Sequence, residues 1–209
     1  PLASEHRPFR CAQARPRLLC QGRRETDQCH TVLAFPTDFG ARDQRRRAAS
    51  LVCDMLGGYM SSRLWTAIRE RNGWAYSVGM GYEDFAETGL LFVHMGLKTR
   101  GPSGEPDPGV TRQALLTALR ELEGFEPTAE ELDTARGHRR GQLAMRAESS
   151  SWLAQFYAMQ ALHRDEVDDV EQERDAVARV TLEQVRSLAR EVLRPERCTL
   201  CCIASAPHT

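Results

Sequence analysis

The chain has 209 residues, of which 41% are hydrophobic, and its formal net charge at pH 7 is −1. This length suffices for one large domain or two small ones, and the apolar fraction supports a packed core. The near-neutral charge excludes a general attraction to nucleic acid or to an anionic membrane, and no apolar run has the length of a membrane span.

The N-terminal part of the chain alternates between an irregular segment, a strand and a helix. Residues 1–24 are rich in arginine and proline, which predicts a linker or mobile lead-in with a short edge strand at residues 17–20. Residues 25–36 are predicted to form a strand. Residues 42–55 carry an apolar face at helical spacing and predict a helix, with the basic triplet 45–47 on its solvated side.

The next segment is predicted to be a loop, a short helix and a strand. Gly57 and Gly58 end the preceding helical pattern, because glycine accepts the left-handed backbone at a helix C-terminus. Either Ser61 or Ser62 is predicted to cap the short helix that follows with its hydroxyl. The Asn72-Gly73 pair ends that helix, and alternating bulky and small residues then predict a strand.

Arg69 and Tyr76 stand out in this segment. Arg69 lies in the last turn of the predicted helix, and Tyr76 lies just inside the strand, on the face of Val78 and Met80. The turn between them folds the chain back, so a guanidinium and a phenol can converge as donors for a carbonyl or a developing oxyanion. The alternative is that Arg69 only favours the helix C-terminus through the dipole, while Tyr76 packs in the core.

The rest of the chain predicts a hairpin, four or more helices and a final strand. A turn at residues 85–88 joins the strand to a second one at 89–97, and a glycine- and proline-rich loop follows. Capping signals at Asp107-Pro108, Thr128 and Thr181 open helices. We therefore expect an α+β fold, an antiparallel sheet packed on one face by helices. The domain is expected to span residues 25–205, with a tail at 206–209.

The seven cysteines are an odd number and do not resemble a small disulfide framework. Cys198, Cys201 and Cys202 invite a zinc or redox interpretation, but they lie in an apolar run typical of a buried strand. None of the six histidines belongs to an H-x-x-E-H or H-E-x-x-H motif, so we expect no metal in this chain. The strong preference for arginine over lysine indicates a GC-rich bacterial genome, and without a secretory signal we expect a cytoplasmic protein.

Two patterns carry a family resemblance. L-G-G-x-M-S-S-R-L at residues 56–64 and I-R-E-x-x-G-x-A-Y-S-V at 68–78 resemble the second half-domain of the pitrilysin/insulinase metallopeptidases, which include the mitochondrial processing peptidase. The resemblance extends over about residues 25–205 and departs from the family at Tyr59, where a third glycine is usual. It implies the fold of the processing-peptidase half-domain.

The resemblance also implies a division of labour. In that family a first domain carries an inverted zinc motif, H-x-x-E-H, and the second supplies an Arg and a Tyr that reach the bound peptide. These two correspond to Arg69 and Tyr76. The adjacent loop is implied to contact substrate through Gly57, Gly58, Ser61, Ser62 and Arg63. Zinc is then expected on a partner domain or subunit, and a peptide is the expected substrate.

Three functions follow as hypotheses. The first is the substrate-binding, non-zinc half of a zinc-dependent metalloendopeptidase, which acts with a partner in the same or a separate chain. The second is a non-catalytic scaffold or peptide-binding protein of the same family. The third is a stand-alone metal or thiol protein that uses Cys198, Cys201 and Cys202.

Overall fold

The computed structural model describes residues 15–23, 26, 28–100, 107–164 and 166–205. Within them the strands are β1 (Arg17–Arg23), β2 (Gln28–Thr37), β3 (Ala75–Asp84), β4 (Gly89–Lys98) and β5 (Thr199–Ser205). The helices are α1 (Arg45–Cys53), α2 (Pro108–Glu123), α3 (Ala129–Arg146), α4 (Ser150–His163), α5 (Val170–Ala178) and α6 (Leu182–Val192). The described residues also contain two π-helical segments, Asp54–Gly58 and Trp65–Glu70, and a 3₁₀ turn at Pro195–Arg197.

The five strands form one sheet in the order β1-β5-β2-β4-β3. The pairs β2–β4, β3–β4 and β2–β5 are antiparallel, as predicted, and the predicted hairpin is the β3–β4 pair. The edge strand β1 pairs with β5 in parallel, so the sheet is mixed at this edge. This strand lies inside the predicted lead-in, whose residues 1–14 are outside the described residues, as are the tail 206–209 and most of the loop after β4.

One face of the sheet is buried under the helices and the other is open. Strand residues on the covered face belong to the same hydrophobic core as α1, α2, α3, α5 and α6. The largest fully buried side chains on that face are Leu33, Phe35, Leu91, Val93, Met95 and Leu97. On the open face His30, His94 and Ile203 are exposed. The expected α+β architecture with helices on one face is confirmed.

The predicted helix starts are confirmed because each is a local signal. The Asp107 side chain accepts from the Gly109 N–H at 2.8 Å, with Pro108 at the first helical position. Thr128 and Thr181 each open a helix through a capping box, with Glu131 and Gln184 as the reciprocal partners.

The prediction of a solvated basic triplet is wrong for Arg46 and Arg47, whereas Arg45 is partly exposed. Arg46 and Arg47 both bind Glu173 of α5, with closest distances of 2.6 and 2.7 Å, and Arg47 also binds Asp168 at 2.8 Å. Arg47 is 7% exposed and Glu173 is 6% exposed. Glu173 lies 126 positions after Arg47 in the chain, so the basic triplet alone does not reveal its partner.

Candidate functional site

The loop before the short helix is packed directly on the sheet. Helix α1 continues into the π-helical segment Asp54–Gly58, which ends at the loop. A Cβ on Gly57 would lie 2.4 Å from the Met80 backbone nitrogen, and one on Gly58 would lie 2.6 Å from Asp54 Oδ1. The two glycines therefore allow a close approach that any side chain would prevent. The left-handed backbone predicted for them is wrong, because among the described residues only Gly73 has a positive φ.

A buried ion pair holds the base of this loop. Arg139 of α3 binds both carboxylate oxygens of Asp54 at 2.8 Å and donates to the Ser50 carbonyl at 3.1 Å. Asp54 is 4% exposed. Burial raises the pKa of Asp54 above its ordinary value, and the Arg139 charge only partly opposes this effect. The bidentate pair thus fixes the loop to α3.

Arg63 is hydrogen-bonded to the layer of helices. Its guanidinium binds the Glu131 carboxylate at 2.7 and 2.9 Å, and it donates to the Glu126 carbonyl at 2.8 Å. The hydrogen bond from Arg63 is the main cause that lowers the pKa of Glu131. Since these donors are already engaged in the fold, the contacts of Arg63 with α3 account for its position. A direct contact with substrate stays a prediction.

The serines do not cap the short helix as predicted. Ser61 is exposed, whereas Ser62 is 1% exposed and its hydroxyl has no hydrogen-bond partner in the described part of the chain. The helix begins instead through backbone contacts, since the Ser62 carbonyl accepts from the Thr66 N–H at 3.0 Å. The side-chain cap expected from sequence is therefore wrong.

Arg69 lies at the end of the π-helical segment Trp65–Glu70. Leu64 and Ile68, on the inner side of this segment, are both fully buried. The Arg69 guanidinium is exposed and lies 4.3 Å from the centroid of the Trp65 ring. Among the described residues it has no carboxylate partner, so its donors are available to an incoming acceptor.

Tyr76 is turned out of the core by a β-bulge. Ala75 pairs with Leu97 and Ser77 pairs with Gly96, so Tyr76 is the extra residue on β3. The bulge puts Ala75 in the core with Val78 and leaves Tyr76 52% exposed. The predicted unbroken alternation, which placed Tyr76 on the face of Val78, is wrong at this point.

Lys98 adds a second cation at this end of the sheet, which the sequence motifs do not indicate. Its Nζ lies 5.7 Å from the centroid of the Tyr76 ring. The same atom lies 3.9 Å from where a Cβ of Gly73 would be, and Gly73 needs its glycine because its φ is 63°. Lys98 is the last residue of β4. It is the only lysine of the chain, and this was the one sequence feature that distinguished it.

The site therefore presents donors rather than metal ligands. Arg69 and Tyr76 are both exposed, and Lys98 lies on the Tyr76 ring. A guanidinium, a phenol and an ammonium are suited to bind a carbonyl or carboxylate oxygen.

The described part of the chain does not fit zinc. It contains no group of three His, Cys, Asp or Glu side chains placed to hold a metal ion. A catalytic zinc needs three protein ligands brought together. In the same part of the chain, no helix is both long and apolar enough to span a bilayer.

The comparisons with known proteins agree on one protein family. The model of the peptidase M16 inactive domain matches residues 4–137. An uncharacterized zinc protease of Mycobacterium leprae is 32% identical over 176 residues, which is 84% of this chain and 38% of that protein. This chain thus spans well under half the length of the curated relatives it matches.

Solved structures share the fold at low sequence identity. A protease from Helicobacter pylori has a TM-score of 0.75 and 16% identity, over 91% of this chain and 45% of that one. A peptidase M16 inactive domain from Pseudomonas fluorescens has a TM-score of 0.67 and 19% identity, over 93% of this chain and 44% of that one.

Proposed function

The chain belongs to the peptidase M16 inactive-domain family, and we propose that it is the substrate-binding, non-zinc half of a zinc-dependent metalloendopeptidase. The resemblance to the pitrilysin/insulinase metallopeptidases is confirmed. The proposal goes further than membership, because it assigns peptide binding to particular side chains. It rests above all on the exposed Arg69 guanidinium, which lacks a carboxylate partner among the described residues.

Arg69 and Tyr76 are proposed to hold one carbonyl group of the peptide. The guanidinium donates two N–H groups from the helix end, and the phenol donates its O–H from the bulge. Both are attached to packed elements, since Ile68 is fully buried beside Arg69 and Ala75 is 5% exposed beside Tyr76. Donors held in place stabilise the carbonyl oxygen as it gains negative charge, and removing one costs about a hundredfold or more in rate.

Residues 57–61 are proposed to contact the peptide backbone next to this pair. Gly57 and Gly58 carry no side chain, and Ser61 is exposed beside them. Arg63 and Ser62 are proposed to support the loop from beneath, because both are already packed in the fold.

The zinc is proposed to belong to a partner that carries H-x-x-E-H. The described residues of this chain do not fit the metal, and the relatives named zinc proteases are longer than this chain. The partner is either another domain of the same polypeptide or a separate subunit. Zinc supplies the activated water, whereas the residues of this chain bind and orient the peptide. The cytoplasmic location expected from the sequence stays a prediction.

The experiment is a mutational test in the assembled enzyme. Co-purification from the native source identifies the partner, and the two chains or domains are then assayed together on a fluorogenic peptide library. Arg69→Ala and Tyr76→Phe are each expected to lower kcat by about a hundredfold or more. Arg71→Ala is the matched control, because Arg71 is exposed and follows Arg69 by two residues.

Two results would contradict the proposal. Full activity in both variants removes Arg69 and Tyr76 from catalysis. A native partner without H-x-x-E-H, in an assembly that cleaves no peptide, supports the scaffold alternative instead. Circular dichroism of each variant separates loss of activity from loss of folding.

A further inference from the structure

Three thiols lie together where β1, β5 and β2 meet. The Sγ atoms of Cys29 on β2 and Cys202 on β5 are 3.3 Å apart. Cys20 on β1 is paired with Cys202 in the strand register. Cys202 therefore lies between the two others, and the three come from parts of the chain up to 182 positions apart in sequence, between Cys20 and Cys202.

The three thiols differ in their access to solvent. Cys20 is exposed, Cys202 is half-buried and Cys29 is 2% exposed. Burial and the contact with Cys29 raise the pKa of Cys202 to about 11, so at neutral pH it is mostly protonated. An oxidant from solvent thus meets Cys20 first, while the short sulfur–sulfur contact lies deeper.

The remaining described cysteines lack this arrangement. Cys53 is fully buried on α1, and burial raises its pKa well above the usual range. Cys201 is next to Cys202 but points to the opposite face of β5, because successive side chains alternate along a strand. Among the described thiols, Cys29 and Cys202 have the short sulfur contact, and Cys202 also interacts with Cys20, whose hydrogen bond partly lowers the pKa of Cys202.

We propose that Cys20, Cys202 and Cys29 form a peroxide-responsive site in which oxidation ends in a Cys29–Cys202 disulfide. The short contact carries the proposal, since the sulfur atoms need to close from 3.3 Å to the bonded distance of about 2.05 Å. The bond joins β2 covalently to β5, the strand that holds the sheet edge β1. This site is independent of the peptidase proposal.

The chemistry balances with hydrogen peroxide as the oxidant. The Cys20 thiolate attacks one peroxide oxygen and breaks the O–O bond. This gives a sulfenic acid on Cys20 and a hydroxide that is protonated to one water. Cys202 then gives its proton to the sulfenic oxygen and attacks the Cys20 sulfur, which forms a Cys20–Cys202 disulfide and releases that oxygen as a second water. Finally Cys29 attacks Cys202, which forms the Cys29–Cys202 bond and returns Cys20 as a thiol. The sum is two thiols and one peroxide to one disulfide and two waters.

The test treats the purified full chain with hydrogen peroxide and maps disulfides by mass spectrometry of non-reduced peptides. We expect the native protein to lose two free thiols and to yield the Cys29–Cys202 link. Cys20→Ser is expected to form the same link at least about tenfold more slowly, because the exposed entry thiol is missing. Cys29→Ser is expected to stop at a Cys20–Cys202 link.

Two further variants and a measurement of folding serve as controls. Cys202→Ser is expected to abolish both links, whereas Cys53→Ser is the matched control and is expected to leave the link unchanged. Circular dichroism before oxidation shows that each variant is folded. The proposal is overturned if folded native protein keeps Cys29 and Cys202 as free thiols, or if the product joins Cys11, Cys198 or Cys201 instead.

Discussion

Arg46 and Arg69 both project from helical segments of the same protein, yet their surroundings are opposite. Arg46 binds both oxygens of Glu173, at 2.9 and 2.6 Å, in a cluster that also contains Arg47. Arg69 is exposed against the Trp65 ring and lacks a carboxylate among the described residues. The difference shows that distant segments decide whether an arginine supports the fold or stays available to a ligand.

The partner of Arg46 comes from 127 positions away in the chain. Helix α5 places Glu173 against α1, where both arginines reach it, and Asp168 and Arg164 extend the same cluster. No described element brings a carboxylate to Arg69 in this way. The prediction that Arg69 serves a ligand therefore becomes testable against Arg46.

The largest expected effect comes from removing the carboxylate of the buried cluster. Glu173→Ala removes the closest carboxylate of both Arg46 and Arg47 in a desolvated site and leaves them only the partly exposed Asp168. We expect a loss of about 3–5 kcal/mol in the free energy of unfolding. Glu171→Ala is the matched control, because Glu171 forms an exposed pair with Arg174 and should cost less than about 1 kcal/mol. Urea unfolding measures both, and equal losses would contradict the assigned role of the cluster.

The same carboxylate should make stability depend on acid pH. Burial raises the pKa of Glu173, but hydrogen bonds and charges of Arg46 and Arg47 outweigh it and lower the pKa from 4.5 to about 2. A folded pKa below the unfolded one means that the contribution is complete above pH 4.5 and is lost as the pH falls toward 2. The loss is on the order of 3 kcal/mol.

Urea unfolding at a series of pH values measures this dependence. The stability difference between the native protein and Glu173→Gln is expected to shrink as the pH falls below 4.5. A difference that stays constant down to the acid limit would show that Glu173 is not the titrating group.

Arg69 is expected to behave in the opposite manner from the clustered arginines. Arg69→Ala removes only the contact with the Trp65 ring, so the free energy of unfolding should change by no more than about 1 kcal/mol. Arg46→Ala, measured in parallel by urea unfolding, should be far more destabilising. If Arg69→Ala unfolds the protein as readily as Arg46→Ala, the two arginines are alike and the comparison fails.

The smallest effect concerns Lys98 on the Tyr76 ring. Reductive methylation with ¹³C-formaldehyde labels the side chain of the only lysine, whose dimethylammonium signal should be shifted upfield by the aromatic ring. NMR of Tyr76→Leu should show this signal move downfield. Tyr157→Leu is the control, because Tyr157 lies on α4, and a similar movement there would rule out the contact.

The sequence predicted those parts of the fold that local signals specify. Capping boxes at Thr128 and Thr181, the proline start of α2 and the hairpin at residues 85–88 are each written in a few neighbouring residues. The buried state of Arg47 was not predictable, because it depends on a carboxylate from another helix.

The candidate site was predictable only in part, for the same reason. Arg69 and Tyr76 were identified from the pattern and its resemblance, whereas the bulge that exposes Tyr76 is set by pairing with Leu97 and Gly96 on the next strand. Lys98 was missed because its place near Tyr76 depends on that cross-strand register. The π-helical geometry of Asp54–Gly58 also had no local sequence signal.

The bulge at Tyr76 also has a consequence for how recognition can change. An extra residue on β3 carries its side chain outward while Ala75 and Val78 keep the interior pattern on either side. A substitution at position 76 therefore leaves the packing of the core unchanged. Under the proposed peptide-binding role of Tyr76, a lineage of such domains can alter its ligand preference at this position while the framework stays intact.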